Sequence, residues 1–204
     1  MKVSIYAEVF ILSIMIFFFG CSSRQRIICL GDSLTSGYLV DDKTYPKYLS
    51  KKVNAPIENL GEIGERSYSL LAKIPSVLEM KPTHIILEIG ANDFFLHTDV
   101  KEFKRNLMEI IDLITHENVK VALILFFNDE IANSLAYVER DVLLDYKKAF
   151  IDCSKHFCIP LVEDIWGSAF FNSKYKTDKY HPNELGNELM AMRILNTLGS
   201  DYFN

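Results

Sequence analysis

THIILEIG at residues 83–90 and VKVALILFF at 119–127 are near-continuous runs of Val, Ile and Leu, and short runs of this kind suit strands buried on both faces of a parallel sheet. IICLG (27–31), PIENLG (56–61) and CIPLVEDI (158–165) are read in the same way. Between them lie stretches of helical period at 45–53, 67–80, 99–116 and 136–156, with a last one at 184–198. Phe103, Leu107, Ile110, Ile111 and Ile114, for example, fall on one helical stripe. Strictly alternating elements of this length predict an α/β fold: a doubly wound, flavodoxin-like three-layer sandwich with about five parallel strands. In such a fold ligands bind beyond the carboxyl ends of the strands, so the residues that follow each strand are the candidates for chemistry.

Three segments fall there. Gly31-Asp32-Ser33-Leu34-Thr35 follows the first strand, Gly90-Ala91-Asn92-Asp93 the third, and Asp178-Lys179-Tyr180-His181-Pro182 lies beyond the fifth. Taken singly, each has a structural explanation as a helix cap, a turn or a loop leading into a helix. Together they supply a hydroxyl, an amide, a carboxylate and an imidazole at one sheet edge, the parts of a serine hydrolase. A serine hydroxyl is a weak nucleophile until a base takes its proton, and His181 is the only histidine beside a closely spaced carboxylate on that edge. Asp178 precedes it by three residues, and on a helical turn that spacing puts both side chains on one face. Negative charge developing on a tetrahedral intermediate needs donors already in place. The Ser33 backbone N–H and the Asn92 side chain are candidates, and the segment after the second strand offers Gly61 or Gly64, between which the residues themselves do not choose.

With these blocks in view, the chain resembles the SGNH hydrolase superfamily, the GDSL esterases and lipases, and most resembles its bacterial arylesterase and lysophospholipase-like branch. G-D-S-L at 31–34, G-x-N-D at 90–93 and D-x-x-H-P at 178–182 stand in the family's order on an α/β pattern. The resemblance implies Ser33 as nucleophile, His181 as base, Asp178 as its partner, and Ser33, Gly64 and Asn92 as the oxyanion hole. Asn59, five residues before Gly64, carries the Gly64 alignment; Ile63 before it and Glu65-Arg66 after it depart from the usual pattern, which keeps Gly61 as the fallback. The family needs no metal or organic cofactor. The expected activity is hydrolysis of carboxylic esters, lysophospholipid or short acyl or aryl esters, with O-acetyl groups on cell-envelope carbohydrate as the alternative. A surface lipoprotein that binds without turnover is the rival of another class. A nucleotide-binding flavodoxin-like protein lacks the Gly-rich phosphate loop it would need after the first strand.

The amino terminus is read apart from the fold. VFILSIMIFFF at 9–19 is apolar but shorter than the ~20 residues of a membrane span, and it is followed by Gly20-Cys21-Ser22-Ser23. Residues 1–20 therefore read as a lipoprotein-type signal peptide with Cys21 as the acylated residue, 21–25 as a short tether and 26–204 as the hydrolase domain. An uncleaved hydrophobic anchor, or a plain signal cut elsewhere, is the alternative. The expected location is the bacterial cell envelope, attached to a membrane by lipid. Removing residues 1–20 deletes one Lys and one Glu, so the net charge stays at −5 and the attachment does not rest on charge. That acidic balance, with no basic cluster beyond pairs, excludes a nucleic-acid partner. Of the remaining cysteines, Cys29 reads as core, and Cys153 and Cys158 as two free, packed thiols, with a bridge between them as the alternative. The five histidines are scattered one to an element, without metal-ligand spacing. Phe94, Phe95, Phe170 and Phe171 flank the candidate blocks and read equally as acyl pocket or core, while Asp41-Asp42 and Asp129-Glu130 read as solvated acids.

Overall fold

The structure, a computed structural model, describes residues 25–203. The segment expected to be a signal peptide, Cys21 and most of the expected tether lie outside the described residues. Five strands, β1 (Ile27–Gly31), β2 (Ile57–Gly61), β3 (His84–Glu88), β4 (Lys120–Ile124) and β5 (Leu161–Val162), form one parallel sheet in the order β2-β1-β3-β4-β5. Parallel neighbours require crossovers, and each crossover here carries helix. In chain order the α-helices are α1 (Ser33–Ser36), α2 (Tyr45–Val53), α3 (Ser67–Glu79), α4 (Ala91–Phe95), α5 (Val100–His116), α6 (Asp129–Asn133), α7 (Tyr137–Phe157) and α8 (Glu184–Leu198). Helices α2 and α8 pack together, and α3, α5 and α7 pack side by side as a second layer. Covered on both faces, β1 and β3 are buried at every residue, as their apolar runs require. The α5 stripe Phe103, Leu107, Ile110, Ile111 and Ile114 is fully buried. The helix starts are fixed by side chains that accept first-turn amides: Thr44 for α2, Asp99 for α5, Asn128 for α6 and Asn183 for α8.

Among the elements, β5 departs most from the sequence reading. Eight residues were expected and two form ladder structure. Cys158 closes α7 in a left-handed conformation, the Ile159 N–H still bonds back to Ser154, and Pro160 has no N–H to give. Beyond Val162, Asp164 turns the chain out of the sheet by accepting the Gly167 N–H at 2.7 Å. Cys29 and Cys153 are buried and Cys158 is exposed; all three are free thiols, so Cys158 is not packed as the sequence reading had it. Among the described residues no helix is long and apolar enough to cross a membrane.

In this strand order the winding reverses between β1 and β3, so a crevice opens beyond their carboxyl ends. Ser33 follows β1 and Asn92 follows β3, which brings them to the same opening.

Candidate active site

At the end of β1, Asp32 caps α1 by accepting the Leu34 N–H at 2.9 Å, and Ser33 becomes the first helical residue. A first-turn N–H has no intrahelical carbonyl to bond, so the Ser33 amide is directed outward. The Ser33 Oγ lies 3.0 Å from His181 Nε2, and His181 Nδ1 lies 2.8 Å from Asp178 Oδ2. An ionised carboxylate only accepts, so it places the imidazole proton on Nδ1 and leaves Nε2 to accept from the serine hydroxyl.

Asp178 and His181 do meet, but not on a helical turn. Residues 177–180 form a bend in which Asp178 Oδ1 accepts the backbone N–H groups of both Tyr180 and His181, each at 2.8 Å. The aspartate thus folds its own loop while it orients the imidazole. Partial burial pushes the Asp178 carboxyl up, but the backbone and imidazole hydrogen bonds outweigh it and hold the group below its ordinary value. The Tyr38 ring stands 4.8 Å from the His181 ring and tilted to it.

The two candidate glycines are separated by their surroundings. Gly61 already donates its N–H to Asn59 Oδ1 at 3.0 Å, and a Cβ there would sit 2.3 Å from the Ser36 backbone nitrogen. It is a packing glycine beneath α1. Gly64 has φ of +79° and open space where a Cβ would be, so its backbone borders the opening. The turn around it is tied down from both sides. The Glu65 N–H bonds to the Glu62 carbonyl, and Lys73 on α3 pairs with Glu62 at 2.6 Å and with the buried carboxylate of Glu65. Asn92 links this turn to the nucleophile turn: its Nδ2 donates to Asp32 Oδ2 and to the Glu65 carbonyl, both at 3.1 Å. Both hydrogens of the amide are engaged at the long end of hydrogen-bond distance, so an oxyanion beside Ser33 has to share or displace one of them.

Sequence reasoning missed three participants. Tyr38 carries no motif. Lys73 acts on a loop eight or more residues away in sequence, visible only once α3 is placed. Glu88 was absorbed into a strand, although a lone acid in a run buried on both faces was the signal. Of the four phenylalanines, Phe94 packs against Tyr146 and Phe170 against Trp166, whereas Phe95 and Phe171 are exposed, Phe95 with its ring tilted against Tyr180. Asp41, Asp42, Asp129 and Glu130 are exposed, as read. No group of three or more His, Cys, Asp or Glu side chains suited to a metal occurs among the described residues.

A hydroxyl, an imidazole and a carboxylate hydrogen-bonded in series at the switch point of a doubly wound sheet have the geometry of the serine hydrolases. Residues 29–189 match the GDSL-like Lipase/Acylhydrolase family, and the chain belongs to it. It is similar to an arylesterase of Vibrio mimicus, 28% identical over 123 residues, which are 55% of this chain and 62% of that protein. The chain thus spans under two thirds of that relative. It is also similar to thioesterase 1/protease 1/lysophospholipase L1 of Escherichia coli K12, 24% identical over 174 residues, 81% of this chain and 79% of that protein. In fold it resembles the psychrotrophic esterase EstA of Pseudoalteromonas sp., with a TM-score of 0.77 at 22% identity over 88% of this chain and 100% of that one.

Proposed function

We propose that the protein is a serine esterase in which Ser33 attacks the ester carbonyl. His181 takes the hydroxyl proton through Nε2 and returns it to the leaving alcohol, while Asp178 holds the imidazole and offsets the charge it gains. The Ser33 and Gly64 amides and the Asn92 side chain face the oxyanion. Water then resolves the acyl-serine by the same steps in reverse. The observation that carries this reading is the continuous contact from Ser33 Oγ through His181 to Asp178. Membership of the GDSL-like family and likeness to an arylesterase and a lysophospholipase support ester substrates. Exposed Tyr38, Phe95 and Tyr180 near the histidine favour an apolar acyl or aryl group. Activity of purified protein against a series of acyl and aryl esters, compared with Ser33→Ala, tests the assignment.

The anchor belongs to the same reading. Gly20-Cys21 after an apolar run supports export and acylation at Cys21. The chain joins the sheet at the amino end of β1, whereas Ser33 stands at the carboxyl end. Five tether residues reach at most ~17 Å, too short to carry the chain around the flanking helices. An anchored domain would therefore present its site away from the membrane that holds it. This favours, as a second reading, O-acetyl groups on envelope carbohydrate. Cys21→Ser should lose the acyl mass and leave the detergent phase; an intact Met1 on membrane-extracted wild-type protein would contradict acylation.

A further inference from the structure

Directly behind Ser33 lie two carboxyl groups that the esterase mechanism does not use. Asp32 and Glu88 are both 0% exposed, and they are set against each other: Glu88 Oε2 accepts the Asp32 backbone N–H at 3.3 Å. Glu88 and Thr35 occupy the space that Gly31 leaves: a Cβ at that position would lie 2.7 Å from Glu88 Oε2 and 2.2 Å from the Thr35 hydroxyl. Two buried like charges this close cannot both be ionised.

The hydrogen bonds identify where the proton sits. Glu88 Oε2 accepts the Asp32 N–H at 3.3 Å and the Thr35 hydroxyl at 3.0 Å, which makes it the carbonyl-type oxygen. The Thr35 hydroxyl, having given its one proton, accepts in turn from Tyr45 at 2.9 Å. Glu88 Oε1 is buried, and among the described residues no donor faces it. An acceptor left in that position is costly, whereas a protonated Oε1 becomes a donor to Asp32. Asp32 meanwhile accepts from Leu34 and from Asn92. Every donor in the chain Tyr45, Thr35, Glu88 points toward Asp32, which behaves as the carboxylate of the pair. Burial supports the same assignment, pushing Asp32 up to about 6 and Glu88 well above the ordinary carboxylate value.

We propose that Glu88 is a positioning residue of the oxyanion site: as a neutral acid it donates to Asp32 and fixes the carboxylate that holds the Asn92 amide and the first turn of α1. Its effect on catalysis runs through Asp32 to Asn92 and Ser33, and so rests on the esterase reading of those two residues. A neutral Glu88 also keeps a second negative charge away from the place where the oxyanion forms.

Gln at position 88 keeps both functions, since its amide donates to Asp32 and its oxygen accepts from Asp32 N–H and Thr35. Leu keeps the volume and loses both. Kinetics on a simple aryl ester should show Glu88→Gln close to wild type. Glu88→Leu should lose up to about 10²-fold in kcat with KM little changed, the signature of misplaced groups rather than lost substrate binding. Infrared difference spectra of wild type against Glu88→Gln at neutral pH give a readout independent of turnover and of whether the Leu variant folds. A carboxylic-acid C=O band present only in wild type is expected. Carboxylate bands alone, or a Gln variant as impaired as the Leu variant, would overturn the neutral-donor assignment. Wild-type kcat in a folded Leu variant would overturn the positioning role. Absence of esterase turnover in wild type would instead overturn the esterase reading, with the infrared band still deciding the state of Glu88.

Discussion

Ser33 Oγ and His181 Nε2 stand 3.0 Å apart although 148 residues separate them in the chain. The sheet places one at the end of β1, and the Asp178 turn places the other just before α8. The contact depends on Asp178 twice, once for the loop's backbone and once for the imidazole.

Asp178→Asn should therefore be more damaging than loss of a charge alone. An asparagine offers an N–H to the imidazole and favours the wrong tautomer, a change that costs ~10⁴ in kcat in triads of this kind. In the wild type the Asp178 carboxyl lies below its ordinary value, so the folded state binds its proton less tightly than the unfolded chain does. Its contribution to stability is present above the unfolded value of about 3.9 and is lost as pH falls through the lower folded value. Thermal melts from neutral to strongly acid pH should show this loss in wild type and not in Asp178→Asn.

Asn92→Ala should leave the protein folded and lower kcat by ~10²–10³ with KM nearly unchanged, because an oxyanion donor acts on charge that exists only in the transition state. Asn92→Asp should be at least as harmful, since it sets a carboxylate against the oxyanion and against Asp32. A raised KM with intact kcat would make Asn92 a substrate-binding or turn-forming residue. Steady-state kinetics on one ester separates the two outcomes.

Gly64→Ala and Gly61→Ala should fail in different ways. At Gly64 a methyl group meets nothing, and the cost is the left-handed backbone, roughly 1–2 kcal/mol; kcat should fall as the amide shifts. At Gly61 the methyl group collides with the backbone of α1, so loss of folding should dominate. Melting temperature and kcat measured together distinguish an active-site glycine from a packing glycine.

Most of the architecture was legible because the buried strands and the amphipathic helices carry different periods. The β1 bounds, Ile27–Gly31, and the α2 bounds, Tyr45–Val53, coincide with the sequence reading. The shortness of β5 was not legible, since apolar content does not reveal that α7 closes on Cys158 and that Pro160 withholds a donor. Residue types alone grouped Ser33, Asn92, Asp178 and His181 at one edge, and the coordinates bring them together there. The route was partly misjudged: a three-residue spacing suggests a helical turn, whereas an aspartate that bonds two successive amides makes a bend instead. A helix cap is one structural reading of the 31–35 segment, and Asp32 is that cap; its contact with Glu88 joins residues 56 apart and leaves no local pattern.

The Glu88 pair has a pH signature of opposite sign to Asp178. A raised folded value means that the native state holds the proton more tightly, so stability falls as pH rises from the unfolded glutamate value of about 4.3 toward the folded one. Asp32 contributes a similar fall that ends near its value of about 6. Asp93 and His181 act on Asp32, and Tyr45 and Thr35 face Glu88, and all four are retained in Glu88→Gln. Above pH 6 the melting temperature of wild type should therefore decline more steeply than that of Glu88→Gln.

Covalent labelling with a fluorophosphonate, followed by intact mass and peptide mapping, bears most directly on Ser33 as the activated nucleophile. One adduct on the peptide carrying Ser33 is expected in wild type, and none in Ser33→Ala, whose melting temperature should be almost unchanged because the hydroxyl contributes little packing. An unlabelled wild-type protein, an adduct on another residue, or full esterase activity in Ser33→Ala would contradict it.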